Sequence, residues 1–520
     1  MEQTSTDHVH RLVRSMTGPE KRYFKVYTAR LAPSAHKNQQ ALFDAICAME
    51  TYDEKALLHQ FQDSRSVNHF TTTKHRLYDA VLRSLTGFHL ENSIDARLGR
   101  LLHQVEVLHD KALYDDAERM LISARRLARA HDRRPALLSI VRWEQRLLER
   151  CNYAQADPRR LEQLIAEGRS VLAEEEQVNT LWELKSHVFM GLYRGGQTRT
   201  AHATAGMNEL LEHPLMQDLG RLSTARARFL FHHIHAAAAF STGSLEQCMR
   251  HLEDGHSVLG SDRDKFIEEP NLAISTLSNL IYVKVALGYF EAAQMLLHEF
   301  HTLPSNWNMP ETEDLDLKLF ATSTSLELTI HTRMGAFDKA LELLPVVERG
   351  MAHHADRLGP MRKAAFYYLI AYAYLGSGQT DKALRWINRL MNDIHMDESA
   401  EIVSFGRILN LLALLDAGQL DLLPYTLRNT GRFLSTRKRM HRFEPMVLAM
   451  VRGAMKTRNA ETRNKIYRTF LEQLLPLEAD PFERVVFDHL DPIAWVQSKL
   501  SGRPFAELAK ERAMRVRAAA

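Results

Sequence analysis

Apolar residues recur at helical spacing along nearly the whole chain. Between residues 101 and 131 they follow steps of three to five, at Leu101, Val105, Leu108, Leu113 and Ala117, and then at the adjacent pair Met120 and Leu121. A stripe with a period near 3.6 residues is typical of an amphipathic helix. Alternating runs bounded by turn residues, which would predict strands, are scarce. The pattern therefore predicts an all-α protein.

A short segment with a glycine, a bulky apolar residue, an acid and an alanine returns along this helical pattern. It reads RMGAFDKALELL at 333–344 and has related forms DKALYDDAERML, ALGYFEAAQMLL and GSGQTDKALRWI. Alignment on the small or apolar residue of the second helix gives Ala117, Ala201, Cys248, Ala293, Ala340, Ala383 and Leu423. Consecutive members of the last six lie 40 to 47 residues apart. This period predicts an α-solenoid of helix pairs, with a degenerate unit near 151–165.

Each position of the segment has a physical role. Glycine, as at Gly335, ends the first helix because it adopts a left-handed conformation at little cost. A bulky residue such as Phe337 fills the gap beside the turn. Asp338 favours the dipole at the start of the second helix, and Ala340 lets that helix approach its partner closely. The same glycine position is occupied by Gly196, Gly243, Gly288, Gly335, Gly378 and Gly418.

Over about residues 93–430 the array resembles the tetratricopeptide-repeat family. Family consensus positions are matched by Gly288, Phe290, Ala293, Ala371, Tyr374, Gly378 and Ala383. The units here exceed the family length of about 34 residues, and several lack the consensus tyrosine and the terminal proline. The chain is therefore tetratricopeptide-like with lengthened helices.

The resemblance implies that the first helix of each pair lines a concave groove that binds an extended peptide or a partner helix. Transferred to this sequence, the groove positions are His187, Arg194, His233, Asn279, Tyr282, Thr329, Arg333, Tyr368 and Tyr372. Tyrosine suits recognition because it combines a flat apolar ring with a hydroxyl group. The alternative is that some of these side chains face solvent or a neighbouring helix.

The segments before and after the array differ from it. Residues 1–92 predict an N-terminal helical module, in which Thr17 caps a helix with Pro19 in its first turn. Its stretches GPEKRYFK and KHRLYDAVLRSL are similar to a segment of bacterial tetratricopeptide-like proteins. Residues 431–520 predict a C-terminal extension whose helices cap the exposed end of the array. The predicted domains are thus 1–92, 93–430 and 431–520.

Two basic stretches offer an alternative contact. Residues 1–40 carry seven Lys and Arg against three acids, and residues 428–442 carry six with no acid. Their candidate contacts are Lys21, Arg22, Lys25, Arg437, Lys438 and Arg439. Such side chains can contact phosphates or an acidic protein. The small net charge of +3 favours solvated basic faces over nucleic-acid binding.

No catalytic constellation or cofactor motif is present in the sequence. It has no Gly-rich phosphate loop and no nucleophile elbow. Cys47, Cys151 and Cys248 stand at apolar helical positions, typical of buried core thiols. The histidine pairs His232/His235 and His353/His354 supply too few converging ligands, so no metal site and no cofactor are predicted.

These observations lead to one leading hypothesis and two alternatives. The leading hypothesis is a non-enzymatic scaffold that binds a protein or peptide partner in the groove. The first alternative is a regulator whose basic N-terminal module contacts nucleic acid while the repeats sense a partner. The second is an enzyme with a site buried in the solenoid, which only the supply of histidines suggests. Three scattered cysteines, polar first residues and apolar runs too short for a bilayer predict a cytoplasmic protein without a membrane span.

Overall fold

The regular structure of this chain is helical. The computed structural model describes residues 8–29, 36–61, 67–150, 153, 157–195, 201–309, 311–392, 401–437, 439–480 and 482–519. Within these residues every regular element is a helix, which confirms the all-α prediction. The chain divides into two compact units, residues 1–172 and residues 173–520.

The helices of the first unit reflect the amphipathic stripes of the sequence. They are α1 (His8–Ser15), α2 (Gly18–Ala29), α3 (His36–Ala48), α4 (Glu54–Gln60), α5 (Val67–Phe88), α6 (Ile94–Asp110), α7 (Tyr114–Ala130) and α8 (Arg134–Arg150), followed by α9 (Pro158–Gly195), which contains the division between the units. Helices α1, α2 and α3 pack against α5 around Phe24 and Phe43. Helices α6, α7 and α8 pack in succession.

The start of α2 confirms the predicted cap. The backbone amide of Thr17 donates to Glu20 Oε2 at 2.6 Å, and the Glu20 amide donates to Thr17 Oγ1 at 3.4 Å. This reciprocal arrangement satisfies donors that a helix N-terminus otherwise leaves unpaired. The predicted domain boundary at residue 92 falls in the turn between α5 and α6.

The second unit contains the remaining helices. They are α10 (Ala201–Leu211), α11 (Pro214–Gln217), α12 (Ala225–Ser241), α13 (Leu245–Ser261), α14 (Arg263–Phe266), α15 (Pro270–Ala286), α16 (Phe290–Asn306), α17 (Glu313–Arg333), α18 (Phe337–Glu342), α19 (Leu344–His353), α20 (Pro360–Gly376), α21 (Thr380–Asn392), α22 (Glu401–Asp416), α23 (Leu423–Thr436), α24 (Phe443–Lys456), α25 (Ala460–Leu474), α26 (Val485–His489), α27 (Pro492–Ser501) and α28 (Phe505–Ala519).

Successive helices of this unit pack as pairs. Helix α12 packs on α13, α15 on α16, α17 on α18, α20 on α21, and α22 on α23. The first helices of neighbouring pairs also touch, α15 with α17, α17 with α20, and α20 with α22. Such packing is compatible with a helical repeat. Near the predicted degenerate unit the structure has one helix of 38 residues, α9, which starts at Pro158.

The turn glycines behave as the sequence predicts. Gly243, Gly288, Gly335, Gly378 and Gly418 all have positive φ, between 67° and 85°. In this left-handed region a side chain is disfavoured, so glycine lets the chain reverse between the paired helices. At the equivalent turn between α6 and α7 the position belongs to Ala112, with φ of 60°.

The anchor residues form the contact between helices. Ala117, Ala293, Ala340 and Ala383 are all fully buried. Phe337 packs on the following pair, because a Cβ placed on Gly376 of α20 would lie only 2.2 Å from its ring. The bulky residue therefore joins neighbouring pairs rather than only filling its own turn.

Residues 482–513, here called the C-terminal segment, reach back to earlier helix pairs. Phe505 packs against Phe337, with ring centroids 5.5 Å apart. A Cβ on Gly335 would lie 2.4 Å from the backbone nitrogen of Lys510. Trp495 is buried and donates its indole N–H to Asp416 Oδ2 at 3.0 Å. The sequence predicts only that this segment covers the last helix pair. In the structure it also packs against earlier pairs.

Candidate functional site

A cavity of about 350 Å³ lies among the first helices of the pairs in the second unit. Helices α9, α12, α13 and α15 form most of its wall, and Val485 and His489 of the C-terminal segment border it. Three of the predicted groove residues line it, namely His233, Asn279 and Tyr282. The remaining wall is mainly apolar and aromatic, with Phe189, Leu192, Tyr193 and Phe240 among its members.

His233 is held in an aromatic stack. Its ring lies 4.8 Å from that of Phe189 and 5.3 Å from that of Phe229, with small interplanar angles in both cases. Burial lowers the pKa of His233 to about 4, and the charge of Lys185 adds to the effect. The imidazole is therefore neutral at pH 7 and contributes a flat ring with one donor and one acceptor.

Tyr282 of the cavity wall lies near two charged side chains, Asp488 and Arg333. Burial raises the pKa of the Tyr282 phenol, and the Asp488 carboxyl raises it further, so the hydroxyl keeps its proton. Burial also raises the pKa of Asp488, against the opposing charge of Arg333. Arg333 Nη2 lies 3.8 Å from Asp488 Oδ1. Arg333 is thus directed to the C-terminal segment of its own chain.

Tyr368 and Tyr372 are covered by the same segment. The Tyr368 hydroxyl donates to the backbone carbonyl of His489 at 3.1 Å. The Tyr372 hydroxyl accepts from the backbone amide of Asp491 at 3.0 Å. Both tyrosines are buried, with exposed fractions of 2% and 4%. Neither side chain is available to a further partner in this arrangement.

The other predicted groove residues lie apart from the cavity. The Thr329 hydroxyl donates to the Ser325 carbonyl of its own helix at 2.8 Å. His187 is exposed on α9, and the side chain of Arg194 lies outside the described residues. Phe189 and Tyr193, four residues apart on the same helix face, line the cavity instead. Phe189 lies two residues after the predicted His187, and Tyr193 lies one residue before the predicted Arg194. A shift of the predicted helix register by one or two residues would therefore have indicated both.

The predicted basic contacts are divided between the two units, with Lys21, Arg22 and Lys25 in the first and Arg437 and Arg439 in the second. In the first unit Arg22 is exposed and Lys21 is half-buried, while Lys25 Nζ pairs with Asp44 Oδ1 at 2.8 Å. In the second unit Arg437 stacks over Phe433, and Arg439 lies 3.9 Å from Glu401, a residue of the cavity wall. Lys438 lies outside the described residues. Nucleic-acid contact stays a prediction.

The Cys248 thiol in the cavity wall is unreactive at neutral pH. Cys248 is buried, and burial raises its pKa to about 12, so the reactive thiolate is negligible at neutral pH. Cys47 in the first unit is half-buried, and Cys151 lies outside the described residues. The core role predicted for Cys248 is confirmed by its burial. The cavity therefore offers apolar, aromatic and hydrogen-bonding groups suited to recognition.

Comparison of the chain with protein-family models and with curated proteins finds no match. In the part of the chain that the structure describes, no helix combines the length and the apolar character that a bilayer crossing requires. The fold and the cavity thus define an all-α protein with paired helices and a mostly apolar pocket beside the C-terminal segment.

Proposed function

We propose that this chain is a non-enzymatic, cytoplasmic scaffold whose helix pairs form a tetratricopeptide-like solenoid and that it binds a peptide segment of a partner protein. The binding site is the cavity around His233, Asn279 and Tyr282. The occupant is a peptide that inserts an aromatic or large aliphatic side chain. The C-terminal segment occupies the neighbouring part of the same surface.

The observation that carries this proposal is the way Tyr368 and Tyr372 hold the C-terminal segment. Both hydroxyl groups bind backbone atoms of that segment, one a carbonyl and one an amide. Backbone hydrogen bonds of this kind recognise polypeptide independently of its side chains. Helix α20, the first helix of its pair, thus holds a segment of its own chain through backbone atoms. This contact supports the proposal that the neighbouring surface binds a peptide.

The cavity supplies the specificity that backbone contacts lack. Its volume of about 350 Å³ falls in the range of about 300–1,000 Å³ found for ligand pockets. Aromatic and aliphatic walls favour a large apolar side chain, because such burial releases water from both surfaces. Tyr193 is 83% exposed at the cavity edge, which gives an entering side chain a route from solvent.

A selection from a displayed random-peptide library on the full chain tests this proposal. We expect enriched peptides to share an aromatic or large aliphatic residue, and synthetic versions to bind one per chain in calorimetry. The variant Ala237→Phe, which fills the cavity from α12, should weaken binding by about thirtyfold or more, the effect of losing a hot-spot pocket.

The variant His187→Ala serves as the matched control, because His187 is exposed on α9 and lies outside the cavity wall. It should leave peptide affinity unchanged. Failure to enrich any peptide would contradict the proposal. Equal binding to wild type and to folded Ala237→Phe would show that the cavity is not the site.

A further inference from the structure

The packed helices α12 and α13 bring two histidines and an aspartate together. His232 on α12 and His251 on α13 have their Nδ1 atoms 3.2 Å apart. Asp254 follows His251 by one helical turn, and its Oδ2 lies 3.6 Å from His232 Nδ1. One ligand atom from each of the three residues lies within 4.8 Å of the other two. The sequence shows only the His232/His235 pair, since His251 lies on a different helix.

We propose that His232, His251 and Asp254 bind a divalent transition-metal ion of the zinc type. Zinc in proteins takes nitrogen and carboxylate oxygen at about 2.0–2.2 Å in a tetrahedral arrangement, which places ligand atoms about 3.3–3.5 Å apart. The two measured spacings, 3.2 Å and 3.6 Å, lie on either side of that value. The third spacing, between His251 and Asp254, is no more than 4.8 Å. A single ion therefore fits once the exposed Asp254 side chain adjusts.

The surroundings suit such an ion. His232 is buried, whereas Asp254 is exposed, so the site is anchored on one side and reaches solvent on the other. His235 stacks on His251 at 4.6 Å and bonds the Met216 carbonyl at 2.9 Å, which fixes the ring packed against His251. Three protein ligands leave a fourth position for water or for a group from a partner.

The protonation state also agrees with metal binding. Burial lowers the pKa of His232 and lowers that of His251 to about 4. Both imidazoles are therefore neutral at pH 7, and only the neutral form offers a lone pair to a metal. Without metal, one neutral ring can donate its Nδ1 proton to the other. This simple hydrogen bond is the alternative to a metal site.

A second group, Asp316, His353 and His354, provides a control within the same unit. His354 Nε2 lies 3.5 Å from Asp316 Oδ2. Its two histidines are consecutive in sequence, with rings at 75° to each other, and two of its three members are exposed. Asp316 lies on α17, but His353 is the last residue of α19 and His354 follows it. All three residues of the first group lie within helices, which position ligands more precisely than loops, so α12 and α13 make the better site.

Zinc titration of the full chain after treatment with a chelator tests the proposal. Calorimetry should show one equivalent of tight binding, and Co²⁺ in place of zinc should give the intense visible bands of four-coordination. His251→Ala should reduce zinc affinity by at least about a hundredfold. Loss of a residue that only hydrogen-bonds to a ligand already reduces affinity by up to about a hundredfold, and loss of a ligand itself should cost more.

The exposed residue gives a variant that preserves the fold. Asp254→Asn removes a ligand charge at an exposed position and should weaken zinc binding by at least about tenfold. Circular dichroism should show unchanged helix content for this variant. His353→Ala should bind zinc as wild type does. Absence of stoichiometric zinc uptake would overturn the proposal, as would unchanged binding by folded His251→Ala, or loss of binding only in His353→Ala.

Discussion

At Tyr368 and Tyr372 the first helix α20 is covered by the chain itself, whereas at His233, Asn279 and Tyr282 the first helices α12 and α15 border a cavity. The same kind of surface is thus filled at one end and unfilled at the other. At the filled end, polar atoms meet backbone atoms of the C-terminal segment. At the unfilled end, aromatic side chains surround a space of about 350 Å³. The comparison separates positions that stabilise the fold from positions free to recognise a partner.

The largest expected effect concerns the contact between Gly335 and α28. Gly335→Ala places a Cβ 2.4 Å from the Lys510 nitrogen at a φ of 68°, so it should lower the free energy of unfolding by about 3 kcal/mol through strain and overpacking. Gly378→Ala is the matched control, since its φ is 78° and its Cβ would meet no atom within 4 Å.

We expect the control to cost only about 1 kcal/mol, the conformational cost of the left-handed backbone. Urea denaturation of both variants measures the difference. Equal destabilisation would mean that the C-terminal segment does not pack on the turn at Gly335.

Lowering the pH should reduce the free energy of unfolding through His233, which lies at the cavity. Its pKa is about 4 in the folded chain and about 6.5 when unfolded. Between these values the unfolded state binds more protons, so stability present above pH 6.5 falls as pH decreases towards 4. The loss from this residue between pH 7 and pH 4 should be about 3 kcal/mol.

The variant His233→Phe keeps a ring in the aromatic stack and removes the titrating group. Its unfolding free energy, measured from pH 7 to pH 4, should decrease less than that of wild type. Parallel curves for the two proteins would refute the effect of burial on His233.

The smallest effect concerns single hydroxyl groups at the filled end. Tyr372→Phe leaves the Asp491 amide without its 3.0 Å acceptor, which should cost about 1 kcal/mol. Tyr282→Phe, at the cavity, should stay within about 0.5 kcal/mol of wild type. Thermal unfolding of the two variants compares the ends directly. Equal destabilisation of Tyr372→Phe and Tyr282→Phe would mean that the hydrogen bond from the Asp491 amide to Tyr372 does not stabilise the fold.

Much of the fold was predictable because its signals are local. The positive φ at Gly288, Gly335 and Gly378 and the burial of Ala293 and Ala340 agree with the recurring segment. Each depends on sterics within one turn or between two adjacent helices. For the same reason the cap at Thr17 could be predicted from four residues of sequence.

The candidate site was predictable only in part. His233, Asn279 and Tyr282 follow from the helical register, but Phe189 and Tyr193 were missed because a shift of one or two residues turns a helix face away. The arrival of His489 and Asp491 at Tyr368 and Tyr372 has no local signal, since about 120 residues separate the partners.

By itself the sequence determined the helices, their turns and the positions that must be small, because these depend on short-range backbone and side-chain sterics. Only the tertiary structure decided which part of the surface is filled and which is empty. It also placed His251 and Asp254 beside His232, across two helices. Such arrangements depend on long-range packing, in which each helix face can meet several alternative neighbours.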